Sequence, residues 1–178
     1  MFASLVEYAE SILVSSPRYS IVTWDAKEAF EWFCQELPLV MKSIDPESTF
    51  SILEAEELDS AGFEVHLLAE LVKESASQTC LLTRNIEPLA SASGKILNGF
   101  RERLSVFRSV VVLIRGNRKR DFFISCPDFL DWVGANVFRA EDLGPAVPDE
   151  LVTLPWTNDD DGGKAVRTGP KLPLGGEA

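Results

Sequence analysis

Hydrophobic and polar positions in this chain follow two rhythms that replace each other along its length. The densest apolar run is Val110-Val111-Val112-Leu113-Ile114, with Phe107 just upstream and Ser109 and Arg115 at its borders. It is short and β-branched, which predicts a buried strand. The next stretch, residues 117–134, opens with charge and then spaces its apolar groups as a helix does. A short apolar piece follows at residues 136–140. Strand, helix, strand makes a βαβ unit, which requires a parallel sheet and a crossover helix.

The upstream chain repeats this alternation. Phe2, Leu5, Val6, Ala9, Ile12 and Leu13 predict an amphipathic helix over residues 2–15, ended by Ser15-Ser16-Pro17. Residues 20–24 form the first predicted strand. Asp25 stands at an N-cap position with Glu28 three residues on, a capping-box-like start to a second helix. Phe30, Phe33, Cys34, Leu37, Val40 and Met41 share one face of that helix, and Pro38 inside it predicts a kink or an early stop. A strand at 49–53 precedes an acidic connection at 54–62 and a third helix over 63–76, with Val65, Leu68, Ala69 and Val72 turned inward. A third strand at 78–84 leads through Glu87-Pro88-Leu89 to a helix over about 91–107, striped by Ile96, Leu97, Phe100 and Leu104. Pro127 starts a new helical turn and Gly134 ends it.

Five strands alternating with helices predict an α/β domain: a five-stranded, mostly parallel sheet with helices on both faces. This domain spans residues 1–143. Residues 144–178 are rich in Gly, Pro and Asp, lack periodicity, and read as a flexible tail. Val152, Leu154 and Trp156 stand out there, either as a segment that docks back or as a short partner-binding motif.

Composition narrows the class. Hydrophobic residues make up 46% and charged residues 25% of the 178, as in ordinary globular proteins. No apolar run reaches the length of a membrane span, and the first residues carry Glu7 and Glu10 rather than a basic leader. The three cysteines, Cys34, Cys80 and Cys126, are far apart and odd in number, which fits reduced thiols and a cytoplasmic location. The formal charge of −11 argues against general nucleic-acid binding. That charge is uneven. Residues 95–120 carry a balance of +7, between −11 upstream and −7 downstream. The bland account of this island is pairing with the acidic helices. The functional account is a docking patch at Arg115, Arg118, Lys119 and Arg120 for an acidic protein partner or a phosphate.

Ligands of parallel sheets sit at the carboxyl ends of the strands, so each end is a test. After the first strand a phosphate loop would need glycines and a GK[ST] ending. The chain has WDAKEAF there, and Asp25 would repel phosphate. After the third strand stands Thr83-Arg84-Asn85, with no acid placed to hold magnesium. Gly94-Lys95 lacks the upstream glycine and is followed by Ile96, so it reads as a helix start. His66, the one histidine, falls between Val65 and Leu67 mid-helix and reads as a surface residue. Cys126 near Arg118 and Arg120 invites a low-pKa thiol reading beside the commoner structural one. Asp128 and Asp131, spaced i, i+3, read as a solvated face, and no cysteine pair has metal-ligand spacing. Neither a catalytic residue, a metal site nor a cofactor is expected.

Four pieces carry a family resemblance: Asn98-Gly99-Phe100-Arg101-Glu102-Arg103-Leu104, then Val110 to Arg115, then Cys126-Pro127-Asp128-Phe129-Leu130-Asp131-Trp132, then Val137-Phe138. Together with the upstream order of elements, they make residues 10–142 similar to the inactive STAND domains of bacteria. Those are P-loop-NTPase-like three-layer sandwiches without nucleotide motifs. The family often has tryptophan where Phe129 or Leu130 stands here. The resemblance implies a sheet order of 5-1-4-3-2, no ATPase activity, and a non-catalytic adaptor or scaffold in a bacterial defence or signalling system. An alternative from the residues alone is a degenerate nucleotide or second-messenger sensor that grips phosphates through Arg84, Arg115 and Arg118.

Overall fold

A computed structural model describes residues 4–14 and 19–144. The described residues lie in one compact unit, Met1–Pro145. The tail positions Val152, Leu154 and Trp156, and Phe2 of the first helix, lie outside the described residues.

The elements run in chain order as α1 (Leu5–Val14), β1 (Tyr19–Trp24), α2 (Lys27–Ile44), β2 (Thr49–Glu54), α3 (Ser60–Leu71), β3 (Thr79–Arg84), α4 (Ala90–Leu104), β4 (Ser109–Arg115), α5 (Lys119–Ser125), α6 (Pro127–Val133), β5 (Val137–Arg139) and α7 (Ala140–Leu143). Short 3₁₀ turns occupy Glu74–Gln78, Glu87–Leu89 and Gly116–Arg118. The five strands form one sheet in the order β2-β3-β4-β1-β5. Every pairing is parallel. This is the expected order, 5-1-4-3-2 read from the other edge.

The sheet is the middle of three layers, and its alternation sorts the side chains. Val110, Val112 and Ile114 of β4 meet Phe63, Leu67, Leu97, Leu104, Phe122, Phe129 and Val133 from α3 to α6. Val111 and Leu113 point the other way, with Val22, Cys80 and Leu82, and meet Tyr8, Ile12, Phe33, Leu37 and Met41 from α1 and α2. Because β4 is buried on both faces, its sequence had to be a continuous apolar run. Each large side chain so buried contributes about 1.5–3 kcal/mol.

Several local expectations need correction. α3 begins at Ser60, with Asp59 as its N-cap accepting a hydrogen bond from Gly62 N at 2.7 Å. Its inward residues are Phe63 and Leu67, while Val65 and Val72 are 62% and 74% exposed and Ala69 is also outward. Val6 of α1 faces outward as well, and Tyr8 takes the buried place. Pro38 does not stop α2, which continues to Ile44. The missing N–H bond is offset by Phe33, Leu37 and Met41, buried on both sides of the proline. Asp25 is not the cap of α2: the N-cap is Ala26, with no side-chain bond of its own.

Gly94-Lys95 is not a helix start either, since both lie inside α4. A Cβ on Gly94 would sit 1.9 Å from Ser125 Oγ and 3.1 Å from the carbonyl oxygen of Phe122. The glycine is there so that α4 can lie close against α5.

Candidate functional site

The direction of the crossovers locates the crevice. β1 leads into α2 on one face of the sheet, whereas β4 leads into α5 on the other. β1 and β4 are neighbours. The space outside their carboxyl ends, between Trp24-Asp25 and Arg115-Gly116, is therefore the position where open α/β sheets bind ligands.

The chain's own carboxylates crowd that position. A Cβ on Gly116 would lie 2.3 Å from Asp25 Oδ1, so the Asp25 carboxylate rests directly on the Gly116 backbone. Glu141 Oε1 accepts hydrogen bonds from the backbone N–H groups of Asp25 at 2.8 Å and Ala26 at 3.0 Å. Those are the donors at the start of α2 that would otherwise greet an anion. Burial alone would raise the Glu141 carboxyl, but the N–H groups of Asp25 and Ala26 outweigh it and hold the group below its ordinary value. Arg139 lies 3.3 Å from Asp25 in a largely exposed pair, worth little by itself, and a longer 3.9 Å from Glu141.

The neighbouring strand ends are arranged alike. Glu87 Oε1 accepts from Arg115 N at 2.8 Å. Glu54 accepts from Arg84 Nε at 2.6 Å and from Asn85 Nδ2 at 2.7 Å. Asn85 adopts a left-handed backbone, φ 55°, which asparagine tolerates better than most residues. The Arg115 guanidinium lies over the Trp24 ring, 5.3 Å from its centroid. It makes no ion pair among the described residues. Trp24, Glu56, Asn85, Glu87, Pro88 and Arg115 line a shallow cleft of about 220 Å³.

The basic island divides into two kinds of contact. Arg101, Arg108 and Arg118 reach carboxylates: Asp128 at 3.6 Å, Asp45, and Asp121 at 3.4 Å respectively. Arg103, Arg115 and Lys119 instead lie over the rings of Phe100, Trp24 and Phe123. Arg120 is exposed and has no carboxylate within ion-pair distance among the described residues. The expected pairing with acidic groups thus holds for part of the island only.

Of the expected patch, Arg118, Lys119 and Arg120 stay together at the turn into α5, and Arg115 turns away onto Trp24. Lys119 and Arg120 line a depression of about 540 Å³ together with Gly116, Phe123 and Ile124. Ile124 is 71% exposed. The apolar half of this surface was open to sequence reading: Lys119–Phe123 and Arg120–Ile124 are both i, i+4 pairs on a helix. Glu141 offered no such signal, being 116 residues from Asp25.

Each arginine of the expected phosphate grip has a partner of its own. Arg84 is engaged by Glu54, Arg115 by the Trp24 ring, and Arg118 by Asp121. Cys126 is buried and donates its S–H to the Phe122 carbonyl at 3.1 Å. Burial pushes its thiol up to about 12. His66 is on the exposed side of α3, and Asp128 accepts from Asn98 Nδ2 at 3.1 Å. Among the described residues no group of three or more His, Cys, Asp or Glu side chains could hold a metal ion, and no helix is long and apolar enough to cross a membrane.

These residues define a three-layer α/β domain with a parallel five-stranded sheet and an acid-filled strand-end crevice. The chain matches no family model, and no curated protein or solved structure matches it significantly.

Proposed function

We propose that this chain is a non-catalytic protein-interaction module, an adaptor or scaffold of the inactive STAND kind, serving a bacterial defence or signalling system. One observation carries the reading: the place where a phosphate would meet the first helix after β1 is taken by Glu141, with Asp25 on Gly116 beside it. A nucleotide entering there would have to displace one carboxylate and face another, and like charges at short range oppose this. Calorimetric titration of the full chain with ATP and magnesium tests it. The expected result is no binding heat at millimolar nucleotide. Micromolar binding with turnover would overturn the reading.

A second reading has its own observation. Arg115 lies on Trp24 free of any ion pair among the described residues, and the buried Trp24 Nε1 has no acceptor among them. A small anion in the cleft beside them would make the chain a sensor, with Arg115 in place of the three-arginine grip. Glu56 and Glu87 in the same lining weigh against it. In the titration above, this reading requires binding without turnover that disappears in Arg115→Ala.

A further inference from the structure

The adaptor reading leaves open which surface docks and what it takes. We infer that the outer face of α5 is a docking surface for an acidic amphipathic peptide segment of a partner protein. This rests on the adaptor reading and deepens it.

Three features of the surface fit one occupant. The first is charge. The chain is acidic overall, at −11, yet Arg118, Lys119 and Arg120 stand in sequence at the one strongly basic stretch. Only Arg118 of the three has a carboxylate partner among the described residues, Asp121. A surface of this sign attracts acidic groups and steers their approach.

The second is the apolar centre. Ile124 is 71% exposed, although isoleucine is a poorer helix former than the lysine or glutamate a solvated position would favour. Phe123 beside it is half-buried, its ring covered by the Lys119 ammonium at 5.3 Å from the centroid. The depression they line is shallow and open, about 540 Å³. Apolar floor and cationic rim together match the usual anatomy of a peptide groove.

The third is rigidity. α5 is packed against α4 through Gly94 and Ser125, and Phe122 on its inner face is fully buried. A partner therefore meets a surface held in place by the core, which lowers the ordering cost of binding. The chain's acidity turns away the other polyanions such a patch could attract, since a membrane or a nucleic acid would face the whole acidic surface and not one helix.

The test is fluorescence anisotropy of a labelled peptide of about four helical turns, with Leu and Phe at i, i+3, i+4 and i+7 spacing and Glu elsewhere, titrated with the full chain. The expected result is saturable binding that weakens at least tenfold in Lys119→Glu/Arg120→Glu and in Ile124→Asp, with unchanged melting temperatures. A peptide with Lys in place of Glu should not bind. No binding of the acidic peptide, or binding that ignores both variants, overturns the inference. So does tighter binding to phosphatidylserine vesicles, or a dimer in light scattering that the α5 variants dissolve, since the occupant would then be a membrane or a second copy. ATP titrated in the same buffer separates the two levels of argument. Silent ATP with a silent peptide removes only the α5 surface, whereas ATP turnover removes the adaptor reading whatever the peptide does.

Discussion

Glu141, in the last described helix, fastens the entry to α2 by accepting the N–H groups of Asp25 and of the N-cap residue Ala26. The bond joins residues 116 apart in sequence and ties down the two backbone donors just ahead of α2, where Ala26 has no side-chain bond of its own. Glu141→Ala should therefore cost about 1.5–3 kcal/mol, the usual magnitude of lost hydrogen bonds to a charged group. Glu141→Gln, which keeps an acceptor, should cost less. Because the folded Glu141 carboxyl lies below its ordinary value, its charge-dependent contribution is complete above the unfolded pKa of about 4.3 and is lost as the pH falls through the folded value. Urea titrations at pH 7 and pH 3 check this: the stability gap between wild type and Glu141→Gln should shrink at the lower pH.

Asp25 and Gly116 form a second coupled pair at the same crevice. With an added Cβ only 2.3 Å from Asp25 Oδ1, Gly116→Ala should destabilise by about 1–2 kcal/mol as the carboxylate is pushed aside. In Gly116→Ala/Asp25→Ala most of that loss should return. A double-mutant cycle on unfolding free energies should give a coupling of about 1 kcal/mol. Simple additivity would mean that the two residues do not share the space.

Gly94→Ala sets helix propensity against packing. Alanine improves an isolated helix by about 1 kcal/mol. Here its Cβ meets Ser125 Oγ at 1.9 Å, Ser125 Cβ at 3.1 Å and a backbone carbonyl at 3.1 Å. The hydroxyl can rotate away, but the backbone and the Cβ cannot. The variant should lose about 1–3 kcal/mol net, as overpacked cores do. Adding Ser125→Gly should recover part of the loss. Equilibrium urea unfolding measures both.

The thiols should be unreactive in the native state. Cys34, Cys80 and Cys126 are buried. Burial pushes Cys80 and Cys126 up to about 12 and raises Cys34 as well. At neutral pH almost no thiolate exists to attack an alkylating agent. Labelling by iodoacetamide should be slow, rise with urea in step with unfolding, and then reach all three sites. Fast native labelling at Cys126 would bring back the low-pKa thiol reading.

The sheet was legible because β4 is buried on both faces, which leaves a continuous apolar run, and β1 and β3 beside it are buried too and short between turn signals. Val110 to Ile114 could hardly be anything else. α3 was harder. It carries Val65 on the outside, with Val72 exposed just past its end, and buries only Phe63 and Leu67, so valine count misleads about its inner face. Pro38 misleads in another way, since one lost hydrogen bond is outweighed by a long buried face. At the strand ends, the sequence shows that phosphate motifs are missing. It does not show that Glu141 and Asp25 fill their place, because contacts across 116 residues leave no periodic trace. On α5 the charges and their i, i+4 spacing from Phe123 and Ile124 were legible, but the depression they line was not, since Ile124 reads as an ordinary apolar position until its exposure is known.

The reach of Glu141 has a bearing on how the chain is made. During synthesis α2 leaves the ribosome long before residue 141 does. Through that interval the N–H groups of Asp25 and Ala26 lack their Glu141 acceptor, and β1 lacks its neighbours β4 and β5. The nascent domain must therefore wait, open on one side, until its closing residues emerge and fasten the first crossover.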